Sequence, residues 1–126
     1  MRIIFSIFIS LFLSSLVLFG QEERVYTFRS EIDIETSGEI RVHEKIRVYA
    51  AGDVFKRGIT RALPLTRTDA DGRRIGVSYN VQKVLQDGKK IKYFTEREGN
   101  ELVIYVGEEN RFLSPGFYNY EIHYTS

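Results

Sequence analysis

From Arg24 onward, short runs of the chain alternate apolar and polar residues, and helical spacing of apolar residues is nearly absent. Successive side chains of a β-strand point to opposite faces, so this alternation predicts strands with one buried face. Turns that contain glycine separate the runs at spacings of roughly 8 to 20 residues, as in all-β domains. The pattern predicts an all-β fold, namely an antiparallel two-sheet β-sandwich of immunoglobulin-like type with about seven strands.

Three of the predicted strands have a clear apolar face. The first predicted strand of the chain has Tyr26, Phe28, Ile32 and Ile34 on this face. A middle strand, which follows Gly72, has Ile75, Val77, Tyr79 and Val81. The last strand has Tyr118, Tyr120, Ile122 and Tyr124. Between such runs, Asp87-Gly88 predicts a hairpin and Gly99-Asn100 predicts a turn. Pro64 ends a shorter strand, because proline has no N–H to donate to a neighbouring strand.

Residues 1–20 differ from the rest of the chain and have the composition of a secretory signal. Arg2 precedes an uncharged run of 17 residues, Ile3 to Phe19, and the small residue Gly20 follows it. We therefore predict a signal helix over residues 1–20 that is cleaved before Gln21, leaving a domain of residues 21–126. The alternative is an uncleaved membrane anchor, because about 17 to 25 apolar residues span a bilayer.

The charge balance argues against nucleic acid as a partner. The whole chain has a formal net charge of +1, and loss of Arg2 with the leader leaves a formally neutral domain. Nucleic-acid binders normally carry a strong basic excess. Basic residues outnumber acidic ones between residues 56 and 74, a run that begins with Lys56 and Arg57. We interpret this run as a solvated loop and hairpin flank, with an acidic partner or anionic lipid as the alternative.

Glu44 lies on the apolar face of the second predicted strand, where a hydrophobic residue is expected. An ionised carboxylate without a partner is too costly in a core. Arg61 interrupts the apolar face of its own run in the complementary way, between Ile59 and Leu63. We predict a bidentate structural pair between Arg61 and Glu44. The alternative makes Glu44 a general acid or base, but no spacing in the sequence specifies the second group that such chemistry needs.

The sequence predicts no metal or cofactor site. The segment Asp69-Ala70-Asp71-Gly72 resembles the start of a calcium loop, but Asn80 occupies the twelfth position where glutamate is required, so an acidic turn is favoured. His43 and His123 fall on the polar faces of their strands, and two histidines without cysteine or a nearby carboxylate cluster do not define a zinc site. The chain has no cysteine and no G-x-S-x-G turn, so no catalytic residue is indicated.

Four residues are candidates for a binding surface. Tyr49 and Tyr105 lie on the polar faces of their strands, and Lys56 and Arg57 belong to the basic run. Most of the other tyrosines occupy alternating strand positions and are explained by packing. If these four residues bind a ligand, the protein is a secreted glycan- or peptide-binding β-sandwich, which is an alternative interpretation of the function.

Several segments occur together in an order that resembles a known family. They are SGEIRVHEKIRV, KRGITRALPL, VLQDGKKIKY and LVIYVGEENRFLSPGFYNYEIHY. The best marks are V-x-E-x-I around Glu44, G-I-x-R-x-x-P from Gly58 to Pro64, Gly107, and P-G-x-Y-x-Y-x-I-x-Y near the end. Over residues 24–126 the chain resembles the N-terminal extracytoplasmic domain of the YciQ-like predicted bacterial membrane proteins, whose function is unknown.

This resemblance implies an exported β-rich domain, followed in complete members by transmembrane helices. The last predicted strand reaches Ser126 without a closing turn, so we expect a domain truncated from a longer membrane protein, or a free-standing version of it. We predict a non-enzymatic interaction or sensing module, periplasmic or extracellular, with a protein or envelope component as its partner. The secreted binder is the alternative, and a carboxylate-based hydrolase that uses Glu44 is a third reading.

Overall fold

The computed structural model describes residues 21–126, and the predicted signal helix over residues 1–20 lies outside them. The described residues form ten β-strands and no helix. In chain order these are β1 (Arg24–Ile34), β2 (Ile40–Ala50), β3 (Thr60–Pro64), β4 (Thr66–Thr68), β5 (Arg74–Gly76), β6 (Asn80–Gln86), β7 (Lys89–Lys90), β8 (Tyr93–Glu98), β9 (Glu101–Val106) and β10 (Gly116–Thr125). Nothing in this part of the chain offers a helix able to cross a bilayer.

The strands form three antiparallel sheets. A five-stranded sheet has the order β1-β2-β10-β6-β7, a three-stranded sheet the order β3-β9-β8, and β4 pairs with β5 alone. The prediction of an all-β fold with antiparallel sheets is therefore confirmed. The number of strands, ten instead of about seven, differs from the prediction because single apolar runs divide between sheets.

Two places show how the division occurs. The run from Ile75 to Val81 becomes β5 and β6, since Val77 leaves the strand and donates its backbone N–H to the carbonyl of Leu65 at 2.8 Å. The predicted hairpin at Asp87-Gly88 forms with φ angles of 49° and 80°, as a type I′ turn requires. Its second strand, β7, is two residues long, and the chain then crosses to the three-stranded sheet as β8.

One hydrophobic core joins the two larger sheets. Its buried side chains are Val42, Ile46, Val48, Ile59, Leu63, Val84, Ile104, Val106, Tyr120, Ile122 and Tyr124. The alternation predicted for the last strand is confirmed, since Tyr120, Ile122 and Tyr124 all contribute to this core. β2 and β10 lie in the interior of the five-stranded sheet and carry much of the core between them.

β1 departs from its predicted face because a bulge interrupts its pairing with β2 between Val25 and Thr27. The bulge turns Tyr26 to the outer face of the sheet, where its ring meets the edge of Phe117 at 5.2 Å between centroids. The prediction that Tyr26 shares a face with Phe28 is therefore wrong. Beyond the bulge the alternation is regular, and Phe28 stays on the core side opposite β2.

Gly58 and Gly107 allow two segments of backbone to touch. A Cβ atom built on Gly58 would overlap the carbonyl oxygen of Val106, and one on Gly107 would overlap the carbonyl oxygen of Arg57. Val106 also donates its backbone N–H to the carbonyl of Ile59 at 2.9 Å. This close approach sets the path of the chain from residue 57 into β3 against the end of β9.

Candidate functional site

The guanidinium of Arg61 donates two hydrogen bonds to Glu44, from Nε to Oε1 and from Nη2 to Oε2, each at 2.8 Å. The hydroxyl of Tyr124 donates a third bond to Oε2 at 2.8 Å. Glu44 is only 2% exposed, and no buried side-chain polar atom of residues 21–126 lacks a hydrogen-bond partner. Because β2 and β3 belong to different sheets, this network joins the two larger sheets across the core.

The network fixes the protonation of Arg61 and Tyr124. The hydrogen bond to Glu44 raises the pKa of Arg61, and burial together with the bond to Glu44 raises the pKa of Tyr124. Arg61 is therefore a cation and Tyr124 a neutral donor over the physiological range. Since both carboxylate oxygens of Glu44 already accept hydrogen bonds inside the core, the geometry favours a structural role over acid–base chemistry.

Three of the four predicted surface residues meet at a groove of about 560 Å³. Lys56 and Arg57 contribute from the loop before β3, and Tyr105 contributes from the outer face of β9. Phe94 of β8 stacks on Tyr105 with ring centroids 4.8 Å apart. Tyr49 lies apart from them, on the outer face of the five-stranded sheet, so the structure separates it from the other three candidates.

The groove carries mixed charge. Three carboxylates line it beside the two basic residues: Asp53, Glu108 and Glu109. The hydroxyl of Tyr105 donates to Glu98 at 2.6 Å, which raises the pKa of Tyr105 to about 12. The guanidinium of Arg57 lies over the ring of Phe112 at 4.8 Å from its centroid. The arrangement provides an aromatic platform but selects neither an anionic nor a cationic ligand.

Glu23 holds one wall of this groove in place. Its carboxylate accepts backbone N–H bonds from Ala51 at 2.9 Å, Phe55 at 2.9 Å and Asp53 at 3.2 Å. These bonds, that of Ala51 foremost, lower the pKa of Glu23 to about 2. A residue just before β1 thereby fixes the loop that follows β2.

Replacing Glu23 by glutamine should lower the melting temperature at pH 7 and remove a pH-dependent part of the stability. The folded-state pKa is depressed below its ordinary value of 4.5, so the contribution of Glu23 is present above that pH and is lost as the pH falls toward 2. Thermal unfolding of both proteins should show a difference that shrinks between about pH 5 and pH 2. Glu22→Gln, at an exposed neighbour, is the control, and equal melting temperatures for wild type and Glu23→Gln at pH 7 would contradict the assignment.

The turn Asp69-Ala70-Asp71-Gly72 closes the β4–β5 hairpin. Oδ1 of Asp69 accepts the backbone N–H groups of Asp71 at 3.0 Å and of Arg73 at 2.8 Å. This carboxylate oxygen is thus used within the turn itself, as in an Asx-turn.

His43 and His123 lie directly opposite each other on the outer face of β2 and β10. The sequence alone assigns them no role. Their rings stack with centroids 3.8 Å apart, and Nε2 of His43 lies 2.9 Å from Oε1 of Glu121. Burial and the neighbouring His43 lower the pKa of His123, so His123 is neutral near pH 7. The sequence signal was two histidines on polar strand faces together with Glu121 two residues before one of them, but only the β2–β10 register brings them together.

β1 carries an apolar strip on its core side that the three-stranded sheet does not cover. The strip consists of Val25, Phe28, Ile32 and Ile34, which are 45, 51, 60 and 76% exposed. The guanidinium of Arg61 lies over the ring of Phe28 at 5.3 Å, so β3 reaches this ring and leaves half of it open. Within the part of the chain that the structure describes, β1 is an edge strand whose outer row of backbone groups has no strand partner.

Residues 24–126 match the family described as "Predicted membrane protein (DUF2207) N-terminal domain". The chain belongs to this family. The resemblance inferred from its motifs is thus confirmed, and residues 24–126 correspond to the N-terminal domain of this family.

A curated relative is the uncharacterized protein YciQ of Escherichia coli (strain K12). The two are 30% identical over 103 residues, which is 82% of this chain and 16% of YciQ. The chain therefore spans a small part of that relative's length. No solved structure matches the chain.

Five residues of the motifs noted in the sequence lie at interior contacts. Glu44, Arg61 and Tyr124 form the buried network, and Gly58 and Gly107 form the backbone contact. These five residues therefore have structural roles in the domain.

Proposed function

We propose that this domain is a non-enzymatic, exported interaction module of a membrane protein, and that it pairs with a second copy of itself through β1. The observation that carries the proposal is the exposed apolar strip on an unpaired edge strand. Membership of a family of predicted membrane proteins and the secretory composition of residues 1–20 support export. In this proposal the domain is an immunoglobulin-like two-sheet sandwich in the periplasm or outside the cell, tethered to the membrane, and β1 is its sensing or assembly edge.

The sequence of β1 is complementary to itself. If two copies pair antiparallel about a two-fold axis at Ser30, Phe28 faces Ile32 of the other copy on the core side of the joined sheet. On the outer side, Arg29 faces Glu31 of the other copy, so opposite charges meet twice. The symmetric contact closes on itself, as isologous dimers do, and it places the two strips side by side so that their apolar side chains shield each other in part.

Such an interface is small, because it consists of one strand from each copy and one row of apolar side chains. Interfaces that bury less than about 1,200 Å² are weak between proteins free in solution. Tethering both copies to one membrane raises their effective concentration, which reaches the millimolar range for short tethers, so weak pairing suffices there. Assembly would then respond to the local density of the membrane protein.

The groove at Tyr105 supports the alternative of a secreted glycan or peptide binder less well. Its aromatic platform suits a stacked ligand, but its charges are mixed and Tyr49 is not part of it. A hydrolase that uses Glu44 fits least, since both oxygens of this carboxylate are engaged in the core.

Replacing Ser30 by cysteine tests the pairing. The chain has no cysteine, so any disulfide must join position 30 of two copies. Directly opposed residues of antiparallel strands have Cα atoms about 4.5 to 5.5 Å apart, within the range that a disulfide spans. Mild oxidation of the concentrated protein should give a covalent dimer on a non-reducing gel.

Two further variants make the result specific. Ser37→Cys places a thiol in the exposed turn after β1 and should give little dimer. Adding Ile32→Asp to Ser30→Cys should abolish the crosslink without unfolding the domain, because Ile32 is already 60% exposed. A Ser30→Cys protein that stays monomeric at about 1 mM, or that crosslinks no faster than Ser37→Cys, would rule out self-pairing and leave the strip to a different partner.

A further inference from the structure

The outer face of the five-stranded sheet holds a cluster of possible metal ligands. His43 comes from β2, and Glu121 and His123 come from successive outward positions of β10. One ligand atom from each of the three residues lies within 4.8 Å of the other two. All three side chains are half-buried on rigid neighbouring strands, with 24% of His43 and 27% of Glu121 exposed.

We propose that His43, His123 and Glu121 bind one zinc ion. Zinc is held by imidazole nitrogen and carboxylate oxygen at about 2.0 to 2.2 Å in tetrahedral geometry, which places ligand atoms about 3.3 to 3.6 Å from each other. Closing the cluster from 4.8 Å to this spacing needs movement of about 1 to 1.5 Å. Rotations about side-chain bonds supply this movement without any shift of β2 or β10.

The contact between His43 and Glu121 shows where the ion enters. Nε2 of His43 and Oε1 of Glu121 share a hydrogen bond at 2.9 Å. Binding replaces the proton between them by the metal, and the two atoms separate by about 0.5 Å. The stacked ring of His123 then turns one of its nitrogens toward the same point.

Glu31 of β1 provides the carboxylate that the second ring nitrogen of a zinc-bound histidine usually faces. Its Oε2 lies 3.7 Å from Nδ1 of His43, on the side of the ring away from Glu121. When Nε2 binds the metal, Nδ1 carries the proton and donates it toward Glu31, which fixes the tautomer and orientation of the ring. Glu31 is thus a positioning residue, whereas the other three bind the ion.

The surrounding charges favour zinc over calcium or magnesium. Lys45 lies opposite Glu121, and Lys83 lies opposite His123 on the neighbouring strand. These two cations oppose the carboxylates Glu31 and Glu121, so the face lacks the excess of oxygen ligands that calcium and magnesium require. Two imidazoles and one carboxylate suit zinc, and three protein ligands leave a fourth position for water or for a ligand from a partner.

Titration of the untagged protein with zinc chloride, followed by calorimetry, tests the site. We expect one zinc per chain, and loss of more than about 100-fold in affinity for His43→Gln, His123→Gln or Glu121→Gln. Glu31→Gln should weaken binding by about 10- to 100-fold with the stoichiometry kept, as expected for an outer partner. Glu96→Gln, at an exposed position of β8, is the matched control and should bind zinc like the wild type.

A second measurement keeps the test independent of variant folding. The chain contains only two histidines, so the imidazole resonances in an NMR spectrum of the unaltered protein report on this site alone. Stoichiometric zinc should shift the ring signals of both histidines. Absence of binding up to about 1 mM zinc, or binding that shifts neither histidine, would overturn the proposal.

Discussion

Replacing Arg61 by methionine is expected to destabilise the folded protein by about 3 to 5 kcal/mol. The substitution keeps most of the side-chain volume and removes the cation, so Glu44 is left 2% exposed with a single remaining donor, Tyr124. A buried charge without its partner costs more than the pair itself contributes. Denaturant unfolding at pH 7 measures this loss of stability.

Companion variants separate the stranded charge from lost packing. The double variant Arg61→Met with Glu44→Gln should be more stable than Arg61→Met alone, since glutamine is neutral and still accepts the Tyr124 hydroxyl. Glu44→Gln alone should lower the melting temperature by less, because Arg61 is 30% exposed and can turn to water. Arg41→Met, which breaks exposed pairs with Glu35 and Glu39, should cost less than about 1 kcal/mol. Equal losses for Arg61→Met and Arg41→Met would show that burial does not matter here.

The sequence predicts the Glu44–Arg61 pair of the buried network because these two residues break apolar alternation in complementary ways. Glu44 and Arg61 each occupy a core position flanked by hydrophobic residues, and a core tolerates such a pair only if its members meet. Tyr124 as a third member was not predicted, because its position in the apolar alternation of β10 is equally explained by packing. A tyrosine on a core face reveals its hydroxyl partner only when the register of the strands is known.

Alternation does not specify the order of the strands in a sheet or which apolar faces the other sheet covers. The alternation in β1 predicts a face as buried as that of β2, yet β1 is an edge strand that β3 covers only in part, at Phe28. His43 and His123 lie 80 positions apart in sequence and become neighbours only through the β2–β10 pairing. Local periodicity predicts which face a side chain occupies unless a bulge intervenes, as it does at Tyr26, whereas neighbours across strands depend on long-range pairing.

Replacing Gly58 by alanine is expected to destabilise the protein by about 2 to 5 kcal/mol, with Gly107→Ala having a similar effect. In each case the new methyl group overlaps a backbone carbonyl oxygen, that of Val106 for Gly58 and that of Arg57 for Gly107. Backbone cannot turn aside as the end of a side chain can, so the two segments must separate. Separation also weakens the bond from the Val106 N–H to the Ile59 carbonyl and displaces Ile59 from the core.

Two other glycines show which part of this loss comes from the close approach. Gly76→Ala adds a methyl group where no atom lies within 4 Å and φ is not positive, so a change within about 0.5 kcal/mol is expected. Gly72→Ala meets open space at φ +79°, so it measures backbone strain alone, of order 1 kcal/mol. Gly58 and Gly107 position Arg57, whose guanidinium packs on the ring of Phe112. Their alanine variants should therefore also shift the NMR resonances of the Phe112 ring. If Gly58→Ala costs no more than Gly72→Ala, the contact between the two segments is not a constraint on the fold.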